Sequence, residues 1–285
     1  MYIVDRKTKK EREMTYDKSV SFLYQNALGR IVLKLLNNHF TSSLVGTYMN
    51  SRFSKKRIKK TIMQNKIDMS IYEDKDYASF NDFFTRRKKN LNFDMDKNHF
   101  VSPSDAKLLV KKLDKNVTFD IKGSMYHIND IVGDNILSDY QNGYALIFRL
   151  EITDYHRYHF IDNGTIDEYK FIKGKLHTVQ PIAYEKYKVF HTNSREYTVL
   201  HTENFNDIVM CEVGAMMVGK ITNYKNVKTF KKGDEKGYFE FGGSTIILFV
   251  KDNIIKIDDD ILKNSQKGKE TIVSCGEKIG VAVKK

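Results

Sequence analysis

Apolar side chains recur at helical spacing near the start of the chain. Residues 19–60 contain no acidic side chain. Within them, five apolar residues follow the i, i+3, i+4 spacing of one helical face: Leu28, Ile31, Val32, Leu35 and Leu36. Two interpretations stay open at this point. In the first interpretation, the helix packs onto its own domain and its charges are solvated. In the second, the helix lies at a lipid interface with its cations around an apolar face.

The pattern changes further along the chain. Tyr77–Lys89 is typical of a capped helix carrying three phenylalanines. From about residue 101, short runs rich in Val, Ile, Tyr and Phe alternate with turn signals such as Asn142-Gly143 and Asn163-Gly164. The predicted strands lie in Lys107–Val110, Tyr144–Ile152, Tyr197–His201, Val209–Ile221 and Tyr238–Val250. The prediction is an α+β fold, with a basic helical region over residues 1–90 and a β-rich domain over residues 91–285.

Composition narrows the class of protein. The chain has 285 residues, of which 41% are apolar and 29% charged, as in folded soluble proteins. It has no apolar stretch of the ~18–20 residues that a membrane span needs, and its first residues lack the apolar run of a secretory signal. Two cysteines, Cys211 and Cys275, are too few for a disulfide scaffold or a four-cysteine zinc site. We therefore expect a reducing, cytosolic compartment.

Charge is concentrated at one end of the chain. Residues 1–60 hold 14 Lys and Arg against four acidic residues, which gives +10 of the +12 total. The segment Ser51–Thr61 alone places six cations around Phe53 and Ile58. Such a region favours an anionic partner, either nucleic acid or an anionic membrane surface.

Residues that could carry chemistry are individually ambiguous. His156 and His159 are closely spaced but have no third ligand at metal-site spacing. Asp105 precedes a predicted strand, as turn and cap residues do. Ser244 follows two glycines and opens an apolar strand, without the glycine spacing of a nucleophile elbow. Taken alone, each is typical of a structural role.

Taken together and in order, these segments resemble the phosphatidylserine decarboxylase proenzyme family. The similar segments are Phe83-Phe84-Thr85-Arg86, Val101–Lys107, Lys122-Gly123 with Tyr126, Asp154–His159, Gly174-Lys175-Leu176 with Val179, Asn193 with Arg195, Val213-Gly214-Ala215 with Val218-Gly219, Lys232-Gly233-Asp234-Glu235 with Gly237, and Gly242-Gly243-Ser244-Thr245. Departures from the family pattern are Ala106, Phe160-Ile161 and Gly242. None of them removes a side chain that does chemistry.

The resemblance implies a function and a site. It implies autocatalytic cleavage between Gly243 and Ser244 by a triad of Asp105, His159 and Ser244. The product chains, residues 1–243 and 244–285, would stay associated. Ser244 would become a pyruvoyl group, the cofactor for decarboxylation of phosphatidylserine to phosphatidylethanolamine, with neither metal nor pyridoxal phosphate. His156 is the candidate for orienting the substrate carboxylate or supplying a proton.

The same resemblance explains the charge distribution and sets the alternatives. A basic N-terminal region would hold the protein peripherally on the cytoplasmic face of the cell membrane, with the lipid as partner and no nucleic acid. A homodimer stays open. The alternatives are a Ser-His-Asp hydrolase without self-cleavage, a non-enzymatic lipid- or nucleic-acid-binding protein, and a relative acting on another amine-bearing acid.

Overall fold

The computed structural model describes residues 1–16, 18–37, 39–133, 138–184, 186–216, 220–242 and 244–283. Gly243 and the motif residues Val218-Gly219 lie outside these ranges. The strands are β1 (Tyr2–Asp5), β2 (Glu11–Glu13), β3 (His99–Val101), β4 (Ala106–Lys112), β5 (Thr118–Ile121), β6 (Ser124–His127), β7 (Tyr144–Leu150), β8 (Arg157–His159), β9 (Gly164–Ile166), β10 (Lys170–Ile172), β11 (Arg195–Thr202), β12 (Asn206–Gly214), β13 (Ile221–Asn223), β14 (Thr229–Phe230), β15 (Glu235–Phe239), β16 (Ser244–Val250), β17 (Ile255–Ile257), β18 (Glu270–Val273) and β19 (Lys278–Ala282).

The helices precede the strand-rich part or cover it. They are α1 (Lys18–Gln25), α2 (Ala27–Leu36), α3 (His39–Asn50), α4 (Lys56–Asn65), α5 (Phe80–Phe84), α6 (Ile128–Val132), α7 (Val189–Thr192) and α8 (Asp259–Gln266). The chain is therefore of the predicted α+β class, with a large sheet at its core and a helical N-terminal region. The boundary between residues 90 and 91 stays a prediction.

One large sheet organises the described part of the chain. Its strand order is β14-β9-β11-β12-β16-β7-β4-β18-β1-β2, and β10 also pairs with β11. A smaller sheet, β13-β15-β8, packs beside it. β16 lies between β12 and β7, and all of its residues are buried. A strand covered on both faces needs a continuous apolar run, which is the pattern its sequence has.

Side chains of β16 alternate between two apolar layers. Ile247 and Phe249 enter the layer that contains α1 and α2 residues, whereas Ile246 and Leu248 enter the opposite layer. Because side chains alternate along a strand, Ser244 belongs to the same face as Ile246. Residues of β8 and β15 pack on that face. The fold therefore brings the strand that ends in His159 to the face on which Ser244 lies.

Three boundaries differ from the sequence prediction. The predicted helix over Tyr77–Lys89 is only the short α5, which Ser79 caps by accepting a hydrogen bond from the Asp82 N–H. The runs Val209–Ile221 and Tyr238–Val250 are each divided between two strands, β12 and β13 and then β15 and β16. The second division falls just before Ser244, where the chain leaves the small sheet to enter the large one.

The first residues are not helical. β1 pairs in parallel with β18, and β2 pairs antiparallel with β1, so both belong to the main sheet. Ile3 and Val4 are buried there. The helical part of the N-terminal region therefore begins at Lys18, because the chain first completes the sheet edge.

Candidate active site

Ser244 begins the central strand and is wholly buried. Its backbone is paired with Leu150 on β7 and with Gly214 on β12. Its hydroxyl Oγ has no hydrogen-bond partner among the described residues. Buried hydroxyls are nearly always hydrogen-bonded, so an orphaned one indicates either a missing partner or a reactive role.

His159 ends β8, and its imidazole is oriented by a backbone carbonyl. Nδ1 donates to the Gly233 carbonyl oxygen at 2.9 Å. Because a carbonyl can only accept, Nδ1 carries the proton and Nε2 is left with a free lone pair. Nε2 is buried and has no partner among the described residues. Burial also lowers the pKa of His159 below its ordinary value of 6.5. The ring is therefore neutral at pH 7, in the tautomer that a general base needs.

The turn that holds the Gly233 carbonyl is itself fixed by backbone bonds. Gly233 N–H donates to the Phe160 carbonyl at 2.9 Å, and Phe160 N–H donates to the Asp234 carbonyl at 2.9 Å. Lys232 Nζ donates to the carbonyls of Asp96 and His99, both at 2.7 Å. The turn is thus tied to the strand of His159 and to the segment before β3, so the carbonyl has little freedom to move away from the imidazole.

Asp105 does not contact His159 through its carboxylate. Oδ1 accepts the Cys275 N–H at 2.8 Å, and Oδ2 accepts from Lys88 Nζ at 2.6 Å. No hydrogen bond between Asp105 and His159 occurs in the described part of the chain. The two are linked indirectly, because the His159 N–H donates at 2.9 Å to the carbonyl of Pro103, two residues before Asp105. In this structure the His159 Nδ1 proton, which the aspartate of a triad would accept, is donated to the Gly233 carbonyl.

Lys88 connects Asp105 with the surroundings of His159. Its ammonium lies 5.2 Å from the centre of the Tyr155 ring, and that ring stacks on the imidazole with centroids 6.0 Å apart. Phe93 packs on another side of the imidazole at 5.3 Å. Sequence reasoning assigned no role to Lys88 or Gly233. The only signal for Gly233 was the Lys232–Glu235 motif, and Lys88 had none.

His156 is buried with both ring nitrogens unpartnered among the described residues. The Phe84 ring lies on it with centroids 3.8 Å apart, and Phe241 packs on Phe84 at 5.4 Å. Burial, with a further contribution from the Arg86 charge, holds the pKa of His156 well below 6.5. The Phe239 N–H donates to the His156 carbonyl at 2.9 Å. His156 thus lies against the segment that leads into Ser244, and it is neutral.

Two arginines fix the segment that carries the histidines. Arg86, almost fully buried, donates to the carbonyls of Thr153 at 2.9 Å and Asp154 at 3.2 Å. Arg157 donates in the other direction, to the Thr85 carbonyl at 2.8 Å. The two motifs that contain these arginines therefore interlock. These hydrogen bonds explain why each of the two motifs contains an arginine.

A cavity of about 490 Å³ opens beside this segment. Phe84, Phe241 and Gly242 line one side, together with Leu150, the strand partner of Ser244. The N-terminal region contributes Arg12, Met14, Thr15, Tyr16 and Val20 to the lining. The cavity size is that of a small-molecule site. Among the described residues, no group of three or more His, Cys, Asp or Glu side chains is arranged to hold a metal ion.

Comparison with known proteins gives one consistent family. Residues 80–281 match the family described as "Phosphatidylserine decarboxylase". A protein of Clostridium acetobutylicum named "Phosphatidylserine decarboxylase proenzyme 2" is 48% identical over 278 residues, covering 94% of this chain and 95% of its own length. A Clostridium botulinum protein named "Phosphatidylserine decarboxylase proenzyme" is 45% identical, with 93% and 92% covered. A Fusobacterium nucleatum protein of the same name is 40% identical, with 97% and 96% covered.

Proposed function

Because the chain belongs to the phosphatidylserine decarboxylase family, we propose that it cuts itself between Gly243 and Ser244 and then decarboxylates phosphatidylserine to phosphatidylethanolamine. The observation that carries the proposal is the buried, unpartnered Ser244 hydroxyl at the start of the central strand. It occurs in the same structure as a neutral histidine whose Nε2 is also buried and free.

Self-cleavage needs only groups of this chain and water. His159 Nε2 takes the Ser244 proton, and Oγ attacks the Gly243 carbonyl carbon, so that an ester replaces the peptide bond. The imidazole then returns its proton to the freed Ser244 nitrogen. Loss of the Ser244 α-proton expels the Gly243 carboxylate, which becomes the end of chain 1–243 and leaves a dehydroalanine at position 244. Tautomerisation and hydrolysis release ammonia and leave a pyruvoyl group at the start of chain 244–285.

The residues around Ser244 fit such a group. Leu150, the strand partner of Ser244, lines the 490 Å³ cavity, which has room for a lipid headgroup. When formed, the pyruvoyl group supplies the electron sink for loss of carbon dioxide. His156 is neutral, and its two nitrogens are uncommitted among the described residues. We assign it to orienting the substrate carboxylate or supplying a proton.

The burial of Ser244 bears on the hydrolase alternative. A hydrolase needs its nucleophile exposed to an incoming ester in the intact chain, where Ser244 has no accessible surface, whereas the proposed decarboxylase needs access to this position only after the cut. A buried serine can still reach the carbonyl of its own preceding residue. The structure therefore supports attack within the chain over attack on an external substrate.

Intact mass tests the proposal directly. We expect the 33.3 kDa chain to convert to two pieces, residues 1–243 and 244–285. The shorter piece should resist Edman sequencing and gain mass on borohydride reduction. Ser244→Ala should stay whole and inactive. A wild-type chain that stays whole while reacting with a fluorophosphonate would establish a hydrolase instead, and lipid binding with neither reaction would establish a non-enzymatic protein.

The N-terminal helices support a membrane location. Four residues of the apolar face of α2 are exposed, with Leu28 at 68% and Leu35 at 67% of their surface accessible. Ile31 and Val32 are exposed beside them. The opposite side of α2 carries the buried Leu33, and Gly29 packs so closely on α1 that a Cβ there would meet the Phe22 carbonyl oxygen at 2.0 Å. The helix is thus held with its apolar face outward, which is the arrangement of an interfacial helix.

We propose that α2 inserts this face at the cytoplasmic surface of an anionic membrane, assisted by the cations of 51–61. Among the described residues, every helix is too short or too polar to span a bilayer. Leu28→Gln with Leu35→Gln should reduce sedimentation with phosphatidylserine vesicles and leave self-cleavage intact. The same readouts should follow from glutamine at Lys55, Lys56, Arg57, Lys59 and Lys60. Undiminished vesicle binding in both variants would refute the membrane location.

The pairing of β16 supports continued association of the two product chains. It is hydrogen-bonded along its length to β12 on one side and β7 on the other, both from the longer piece. We propose that the pieces remain together as one folded unit. Co-elution on gel filtration of the cut protein, and separation only in denaturant, would support this.

A further inference from the structure

A second cavity lies beside α2, away from Ser244. It has a volume of about 250 Å³ and is lined by Leu33, Lys34, Asn37, Lys175, His177 and Tyr187. Lys175 belongs to the Gly174-Lys175-Leu176 motif, which the proposed reaction does not use. We propose that this cavity binds the phosphodiester of an anionic membrane phospholipid, distinct from the substrate that enters the reaction cavity.

The charges at the cavity are uncompensated. Lys34 and Lys175 are both exposed, and neither has a salt bridge with any described residue. By comparison, Lys55 is paired with Asp76 and Lys75 with Asp82. Two free ammonium groups at the mouth of one cavity favour an anionic occupant.

The polar groups inside the cavity are donors. Asn37 Oδ1 already accepts the Leu176 N–H at 2.7 Å, which leaves its Nδ2 amino group to donate. The Tyr24 hydroxyl accepts the Thr178 N–H at 2.8 Å and lies 3.5 Å from His177 Nδ1. The Tyr24 hydroxyl proton therefore points to His177 Nδ1, and the His177 ring carries its own proton on Nε2. His177 is buried, and burial lowers its pKa to about 4, so this neutral form holds at pH 7. The occupant must supply acceptors, as a phosphodiester does.

The position of the cavity on α2 indicates where the anion comes from. At about 100° per residue, Lys34 and Asn37 lie on one flank of the helix, between buried Leu33 and the exposed apolar face. On an interfacial helix this flank is at the level of the lipid headgroups. A lipid whose tails lie along the apolar face would bring its phosphate to this flank.

The cavity is separate from the reaction cavity. Thr178, Val179 and Gln180 line the reaction cavity, whereas Lys175 and His177 line this one. Tyr24 holds the boundary between them through its contacts with His177 and Thr178. A phosphatidylethanolamine headgroup would place its ammonium among donors and cations, so the site favours lipids with a net negative charge.

The test uses a soluble lipid that is not the substrate. Dihexanoyl phosphatidylglycerol, below its micelle concentration, should bind the full-length protein in calorimetry more tightly than inorganic phosphate or glycerol phosphate. Lys34→Gln with Lys175→Gln should weaken this binding by about fivefold for each lysine, the effect of a cation near an anionic lipid surface. The matched control is Lys256→Gln with Lys267→Gln, which removes the same charge from two exposed lysines of the β-rich part that form no salt bridge with a described residue.

Each outcome decides the inference. Equal binding by both double variants would overturn it, and so would inorganic phosphate binding as tightly as the lipid, since the site would then serve a free anion. The inference rests on the proposed docking of α2, which a separate measurement tests. If wild-type protein binds the soluble lipid but does not sediment with phosphatidylglycerol vesicles, membrane docking fails. If it sediments and the lysine variant binds the soluble lipid like wild type, the cavity assignment fails.

Discussion

Gly233 gives a sharp test of how His159 is prepared for self-cleavage. Its φ is +88°, a conformation that costs an L-residue about 1–2 kcal/mol. The nearest atom to an added Cβ is on the Phe93 ring at 3.4 Å, an ordinary contact. Gly233→Ala therefore strains the backbone of the turn without a steric clash, and the strain is relieved by rotating the peptide whose carbonyl holds His159 Nδ1.

The size of the effect follows from the hydrogen bond. In the other imidazole tautomer, the Nδ1 lone pair would face the Gly233 oxygen, and two buried acceptors would lack a donor. Leaving such groups unsatisfied costs about 1–3 kcal/mol, which corresponds to a preference of about 5- to 150-fold for the reactive tautomer. If the carbonyl turns away, that preference is lost. Self-cleavage should slow by about twofold, because the reactive tautomer falls from most of the population to about half of it.

Gly268→Ala is the matched control. Gly268 has φ +69°, nothing lies within 4 Å of its added Cβ, and it follows α8 outside the candidate site. Both variants should lose similar stability in urea, measured in the uncut Ser244→Ala background. Only Gly233→Ala should delay the appearance of the cut chains in a pulse–chase of cell-free synthesis. Equal cleavage rates in the two alanine variants would refute the claim that the Gly233 carbonyl prepares His159.

Three further outcomes are expected. His159→Ala should remain uncut on a gel, whereas His156→Ala should cut and release little carbon dioxide; the reverse pattern for the two histidines would exchange their roles. Self-cleavage should keep its rate as the pH falls from about 8 to 6.5 and decline only below, because burial lowers the pKa of His159 and keeps it neutral; a rate already halved at pH 6.5 would contradict this. Glu270→Gln should lower the free energy of unfolding by about 3 kcal/mol in urea, because it breaks the buried pair with Arg149 (2.6 Å); an unchanged midpoint would show that the pair is not needed.

The parts of the fold that the sequence predicted are those with a local signal. The apolar run at Ile246–Phe249 identifies a buried strand wherever its neighbours lie. β1 has no such signal, because Tyr2–Asp5 is short and pairs with β18, which lies more than 260 residues away. Ala215 and Met216 are apolar and continue the strand pattern, although the strand ends at Gly214. The end of the strand at Gly214 is therefore determined by tertiary structure and not by the local sequence.

The candidate site shows a similar limit. Ser244, His156 and His159 lie in motifs of the family that the chain resembles, and the resemblance assigns a chemical role to their side chains. The Gly233 contribution is a main-chain oxygen, which every residue has, so no residue type marks it. Lys88 has no sequence signal because a lysine in a basic stretch is usually solvated, whereas here its side chain is mostly buried and its ammonium pairs with the Asp105 carboxylate at 2.6 Å. The partners of a side chain depend on long-range packing, which residue spacing does not encode.

The position of β16 determines whether the cut protein can refold after denaturation. The piece after residue 243 supplies β16 to the middle of the main sheet and β18 between β4 and β1. Before the proposed cut, folding is a reaction within one molecule, and its equilibrium is independent of concentration. After the cut, the same sheet can form only when two chains associate. Refolding from denaturant should therefore depend on protein concentration, and a dilute sample of the cut protein should not regain the native fold. Folding must therefore precede cutting, and the cut makes the first folding event the only efficient one.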